Sequence, residues 1–187
     1  MHLRIRRLVG TVGILAVAGT LFAAPAGAHV DIDPSSAATG STAILNFQVP
    51  NERADTNTVK VEIQLPQNVG IPSVLVQPKY GWNVAVTRRT LGKPVKSDAG
   101  DSITDVVSTI TWTANAGGFG PDQFDFFTVQ AGPLPTNVKQ LEFKAIQTYS
   151  NGEVVRWIED TPKGGKEPEF PAPVLTLAAK TKSGHGR

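Results

Sequence analysis

Leu141-Glu142-Phe143-Lys144-Ala145-Ile146-Gln147-Thr148, then Tyr149-Ser150-Asn151-Gly152, then Glu153-Val154-Val155-Arg156-Trp157-Ile158-Glu159, reads as two strands folded back on one turn. Successive side chains of a strand point to opposite faces, so Val155, Trp157 and Glu159 share one side of the second strand. Asn-Gly between two alternating runs is the strongest short-range hairpin signal, because both residues tolerate the positive φ that a tight turn needs. The two strands are expected as antiparallel neighbours.

The same period-two pattern recurs upstream. Leu45, Phe47 and Val49 alternate with Asn46 and Gln48, and Val59, Val61, Ile63 and Leu65 alternate with Lys60, Glu62 and Gln64. Further strands are expected at 82–88, 106–113, 124–130 and 174–178, most of them rich in β-branched and aromatic residues. Turn formers separate them at 66–70, 79–81, 92–100, 117–121 and 132–135. No long amphipathic helical run intervenes, so the expected fold is all-β: an antiparallel β-sandwich, immunoglobulin/fibronectin-III-like or cupredoxin-like. Residues 160–173, rich in Pro, Gly, Lys and Glu, read as a long surface connection into the last strand.

The chain opens with Met1-His2-Leu3-Arg4-Ile5-Arg6-Arg7, a positive segment, and continues as an apolar run from Leu8 to Ala24. Pro25-Ala26-Gly27-Ala28 then places small residues where a signal peptidase reads before its cut. Residues 1–28 are therefore expected to be an export signal, removed after Ala28, and His29 to begin the mature chain. The rival reading is an uncleaved membrane anchor, which the short run, its glycines and the Ala-Gly-Ala end disfavour. Residues 29–179 are expected to form one domain and residues 180–187 a polar, disordered tail. Nothing after residue 28 is apolar for the roughly 20 residues a membrane helix needs, so the expected product is exported and free of a mature anchor.

Composition narrows the function classes. The precursor's formal charge of +2 includes three leader arginines, and without them sixteen acidic side chains face fifteen basic ones. No basic run interleaved with aromatics remains, which disfavours nucleic acid as a partner. Cysteine is absent and the single methionine is Met1, so disulfides, thiolate sites and soft Cu(I) sites are excluded. Of three histidines, His2 leaves with the leader; His29 and His185 remain.

A histidine at a free terminus has a particular chemistry. Its α-amine and imidazole Nδ1 close a chelate ring on one ion, and two nitrogens with no sulfur suit Cu(II), which also leads the affinity order of the first-row divalent metals. The amine titrates near pH 8 and imidazole near 6.5 in reference peptides, so such binding weakens as pH falls. On its own, a first histidine beside a cleavage site is read as structurally idle before it is read as a ligand.

Several short segments, in their order and spacing, resemble the YcnI-like family of exported copper-binding proteins. They are Ala28-His29-Val30, Val49-Pro50-Asn51-Glu52, Gly81-Trp82-Asn83-Val84, Thr111-Trp112-Thr113-Ala114, Gln123-Phe124-Asp125-Phe126-Phe127, Gln147-Thr148-Tyr149-Ser150-Asn151-Gly152 with Arg156-Trp157, and Pro171-Ala172-Pro173-Val174-Leu175-Thr176-Leu177. The resemblance implies a β-sandwich that holds one Cu(II) per chain in a single-histidine brace. His29 would supply imidazole and terminal amine, Glu52 a carboxylate oxygen, and Trp157 would lie beside the ion. The residues suit those roles. Glu52 stands in a polar turn, 51–57, after a strand, where the bland reading is a solvated loop glutamate. Indole nitrogen only donates, so Trp157 suits a wall more than a ligand, and its bland reading is a core tryptophan. Trp82 and Trp112 read as core; Glu159 and Asp160 read as solvated or spare carboxylates. The family's membrane anchors and histidine-rich tails have no counterpart here, which leaves His185 in a mobile tail.

The implied function is copper homeostasis as a chaperone, buffer or delivery protein, with a membrane copper transporter as the candidate partner and a monomer or weak dimer as the assembly. An enzyme is not expected. Copper oxygenases that begin at histidine need a second, fixed histidine, and no Gly-x-Ser-x-Gly elbow or cysteine offers a hydrolytic nucleophile. The alternative is an immunoglobulin-like cell-surface module that binds a protein or glycan through its loops without metal.

Overall fold

Alternating apolar residues organise the whole structure, a computed structural model that describes residues 29–162 and 164–179. The expected leader, 1–28, and tail, 180–187 with His185, lie outside the described residues. Twelve strands are found among those described: β1 (Asp31–Asp33), β2 (Ser36–Ala38), β3 (Ala43–Pro50), β4 (Thr58–Gln64), β5 (Ser73–Val76), β6 (Trp82–Lys96), β7 (Ser102–Ala114), β8 (Phe124–Gly132), β9 (Gln140–Glu142), β10 (Lys144–Tyr149), β11 (Val154–Trp157) and β12 (Val174–Ala178). The all-β expectation holds, and no helix is present among the described residues.

The strands form a four-stranded sheet ordered β1-β3-β8-β5, a five-stranded sheet ordered β11-β10-β4-β7-β6, and a small sheet ordered β2-β12-β9. Every pairing is antiparallel except β2 with β12. Leu45, Phe47, Val49, Phe127 and Val129 from the first sheet and Val61, Ile63, Ile110, Trp112 and Val155 from the second are all buried in one core. Trp112 meets Phe127 edge-on at 5.3 Å, and Phe47 meets Phe143 likewise at 5.2 Å, so aromatic contacts bridge the layers. The polar alternates Asn46 and Gln48 lie outside the core. The sandwich follows from that alternation.

The hairpin forms as its sequence requires. Thr148 pairs with Val154 and Ala145 with Trp157. Gly152 takes φ of +89° and donates to the Tyr149 carbonyl, closing the turn.

Two expectations need correcting in detail. Residues 92–100 were expected as one turn, but β6 runs through Gly92 to Lys96 and the reversal occurs over 97–101, where Ser97 and Gly100 bond across. Gly92 lies in an exposed ribbon whose register shifts between Thr90 and Val95, and an irregularity of that kind accommodates glycine without ending the strand. Second, the strand expected over 141–148 divides at Phe143: β9 pairs with β12, whereas β10 pairs with β4 and β11. Phe143 instead donates its backbone N–H to the Pro173 carbonyl as the chain passes between sheets. Trp82 is packed against the core from its margin, whereas Trp112 is fully buried.

Candidate metal centre

His29 leads into β1, which is the edge strand of its sheet. Val30 and Ile32 are buried and anchor this segment, so His29 is carried on a fixed backbone. Asp31 pairs with Gln48, and the same register continued by two residues brings His29 level with Pro50. Glu52 lies two residues beyond Pro50. Trp157 ends β11, the edge strand of the five-stranded sheet, and its ring centroid is 5.9 Å from that of His29. The meeting of two sheet edges thus gathers the first strand, the end of β3 and the last residue of the hairpin.

The three residues expected to act together differ in environment. His29 is partly exposed, and its Nδ1 lies 3.4 Å from Glu167 Oε1. Trp157 is fully buried, with Phe170 stacked edge-on at 5.4 Å. Glu52 is half-buried, but its Oε1 is shielded from solvent and has no hydrogen-bond partner. A buried acceptor left unmatched costs on the order of 1–3 kcal/mol, more for an ionised group, so this oxygen needs a reason to be there. The Tyr149 hydroxyl nearby is also buried, and burial pushes its phenol above the ordinary range despite the opposing charge of Arg53 and a backbone hydrogen bond from Glu52.

A rigid frame surrounds these open groups. Asn51 donates through Nδ2 to the Thr56 and Phe119 carbonyls, and its Oδ1 accepts from the Arg53 N–H, which shapes the turn that carries Glu52. Gly118, at φ +71°, lets the 117–120 loop approach the Thr58 carbonyl so closely that a Cβ would overlap it. Arg53 lies 5.2 Å over the Tyr149 ring and holds Glu153 through a two-pronged ion pair. That hydrogen-bonded pairing lowers the Glu153 carboxyl below the usual range, so the contact persists above the ordinary carboxylate pKa and is lost as acid protonates the folded-state group.

Sequence reasoning missed two neighbours. Glu167, from the expected surface connection, is the carboxylate beside the imidazole, and nothing in local sequence connects residues so far apart. Gln147 is buried and bonds the Trp157 indole at 3.2 Å; its signal was a polar residue at an inward position between Ala145 and Tyr149. Glu159 accepts from the Phe170 N–H at 2.9 Å and so closes the connecting loop, rather than facing the centre as a free carboxylate.

Beside His29 opens a cavity of about 510 Å³ lined by Asp31, Glu142, Asp160 and Glu167 as well as the imidazole. Burial, then a hydrogen bond with Asp160 and its charge, raises the Glu142 carboxyl above its ordinary value. Ionised Glu142 therefore opposes folding: stability falls as pH rises from the unfolded-state value through the raised folded-state one. Glu142→Gln is expected to raise the melting temperature at pH 7 and to change it little below pH 4, as a pair of thermal melts will read.

Among the described residues, no group of three or more His, Cys, Asp or Glu side chains is arranged to hold a metal ion.

The model of one protein family, a domain of unknown function (DUF1775), matches residues 29–177. This chain belongs to the DUF1775, YcnI-like family. Among its relatives, the copper-binding protein CutI of Bacillus subtilis (strain 168) is 31% identical over 147 residues, which make up 78% of this chain. The matched region spans 63% of CutI, somewhat under two thirds of its length. A crystal structure of an uncharacterized protein from Nocardia farcinica, described as having an immunoglobulin-like fold, is 35% identical with a TM-score of 0.63. It covers 81% of this YcnI-like chain and 99% of its own, so the DUF1775 sandwich here is immunoglobulin-like rather than cupredoxin-like.

Proposed function

We propose that this chain is exported, that removal of residues 1–28 frees the amine of His29, and that the mature protein binds one Cu(II) in copper homeostasis. The α-amine and Nδ1 of His29 chelate the ion, Glu52 adds a carboxylate oxygen, and Trp157 with Phe170 behind it walls one side from water. The observation that carries this reading is the His29 ring 5.9 Å from Trp157, with the end of β3 level with His29 and the solvent-shielded, partnerless Glu52 Oε1 two residues beyond that end. A divalent cation there would satisfy that oxygen and offset its charge. Bound copper supplies a Lewis-acidic, redox-active ion; the residues bind and shield it.

Other observations support the reading. The family match begins at His29, the residue that the proposed cut frees. The relative CutI is named as copper-binding. Glu167, itself mostly exposed, lies 3.4 Å from Nδ1, and it is the group that the ion displaces from imidazole. Binding rather than catalysis suits a site whose one histidine is the first residue, and a chaperone, buffer or delivery protein that hands copper to a membrane transporter is the role proposed.

The test is a Cu(II) titration of the chain beginning at His29, followed by Trp fluorescence and by competition with a chelator of known affinity. One saturable equivalent that quenches emission is expected, since Trp157 lies beside the ion. Failure to bind a saturable equivalent would contradict the proposal and favour a metal-free docking module.

A further inference from the structure

Gln147 is a fully engaged polar side chain near the candidate centre. It is 1% exposed. Its Nε2 donates to the Pro50 carbonyl at 2.8 Å and to the Thr58 hydroxyl at 2.7 Å, and its Oε1 accepts from the Trp157 indole at 3.2 Å. An indole only donates and a carbonyl only accepts, so these partners fix which end of the amide is which.

The three partners are not a random set. Pro50 ends β3, level with His29 and two residues before Glu52. Thr58 begins β4 and closes the far end of the loop that carries Glu52. Trp157 is the indole against the His29 ring. One side chain therefore grips both ends of the Glu52 loop and the tryptophan. Both hydrogens of its amide are used, whereas Glu52 Oε1 is left without a partner. The frame is satisfied and the carboxylate oxygen beside it is open, which is the arrangement of a preorganised site.

We infer that Gln147 is the positioning residue of the centre: it sets the Glu52 carboxylate against the His29–Trp157 pair without touching the ion. The inference rests on the copper-binding reading above. It differs from a purely structural role in one respect, because the effect of Gln147 on copper must pass through Glu52.

The experiment is a double-mutant cycle on the chain beginning at His29, with Gln147→Met as the near-isosteric loss of the amide and Glu52→Gln as the second change. Circular dichroism establishes that each variant is folded; Cu(II) affinity is read by competition, and the copper environment by EPR. Gln147→Met is expected to weaken binding by about 10-fold or more, with altered EPR hyperfine splitting, and by less than about 3-fold when Glu52 is already Gln. Equal losses in both backgrounds, or parental affinity and spectrum in folded Gln147→Met, would overturn the inference. Should Gln147→Met not fold, Thr58→Val removes one partner, keeps the indole bond and enters the same cycle, with an expected shift of about 3-fold that again vanishes beside Glu52→Gln; no shift overturns the inference. A parent chain that binds no Cu(II) overturns both readings, whereas a binding parent with indifferent variants overturns this one alone.

Discussion

Glu52→Gln is expected to lower Cu(II) affinity by about 10- to 100-fold while leaving the metal-free protein as stable as its parent, or more so. The two effects have opposite signs because the same oxygen causes both. In the metal-free chain Glu52 Oε1 is shielded from water and has no hydrogen-bond partner, so a neutral amide of equal shape gives up no bond there. In the proposed copper complex the carboxylate would be the anionic donor, and its loss would remove both a bond and charge compensation. Linkage makes the contrast measurable. At a free-ion concentration 100 times the parental Kd, copper stabilises the parent by about 2.7 kcal/mol, and a tenfold weaker variant gains only about 1.4 kcal/mol. Melts with and without copper, together with competition titrations, will read both terms. Parental copper affinity in Glu52→Gln would remove Glu52 from the site.

Trp157→Ala is expected to be the most damaging single truncation at the centre, costing about 3–5 kcal/mol of stability. The side chain is 1% exposed, packs against Phe170 at 5.4 Å and against His29 at 5.9 Å, and leaves Gln147 Oε1 without its donor when removed. Trp157→Phe separates packing from hydrogen bonding: it keeps most of the apolar volume and should cost about 1–3 kcal/mol, the penalty of one unmatched buried acceptor. Chemical denaturation of the metal-free proteins measures both. A loss below about 1 kcal/mol for Trp157→Ala would mean that the edge where β11 meets His29 is not the packed wall the contacts describe.

The fold was legible where burial is one-sided. In β4 the inward residues Val61 and Ile63 are fully buried and the intervening Glu62 is not, so hydrophobic alternation alone specifies the strand and its face. Asn151-Gly152 specified the hairpin for the separate reason that its glycine takes positive φ. The pattern is silent in β1, β2 and β5, which have three, three and four residues, because so few positions display no period. It misleads in β6, where most of the strand is exposed and Gly92 and Pro94 read as turn formers although the ribbon continues past them.

The candidate residues were named from the sequence, but their placement was not legible there. His29, Glu52 and Trp157 came from a terminal-histidine argument and from resemblance, and the structure brings His29 against Trp157 with the end of β3 beside them. Their meeting depends on the register between β1 and β3 and on which strands lie at the sheet edges. Local sequence does not encode either. Gln147 was visible in principle as an amide on the apolar side of β10, a position where a polar group must find partners. Glu167 was not, since an exposed glutamate in a Pro/Gly/Lys/Glu-rich connection is indistinguishable from any solvated one until its distance to His29 is known.

The most direct measurement compares two proteins that differ only at the terminus: one beginning at His29, the other carrying one additional glycine before it. The extra residue converts the α-amine into an amide and leaves His29, Glu52, Gln147 and Trp157 unchanged. Cu(II) competition titrations are expected to give one tight equivalent for the first and binding weaker by at least about 100-fold for the second, with loss of the amine nitrogen from the EPR signature. Equal affinity and equal spectra from both would contradict the account.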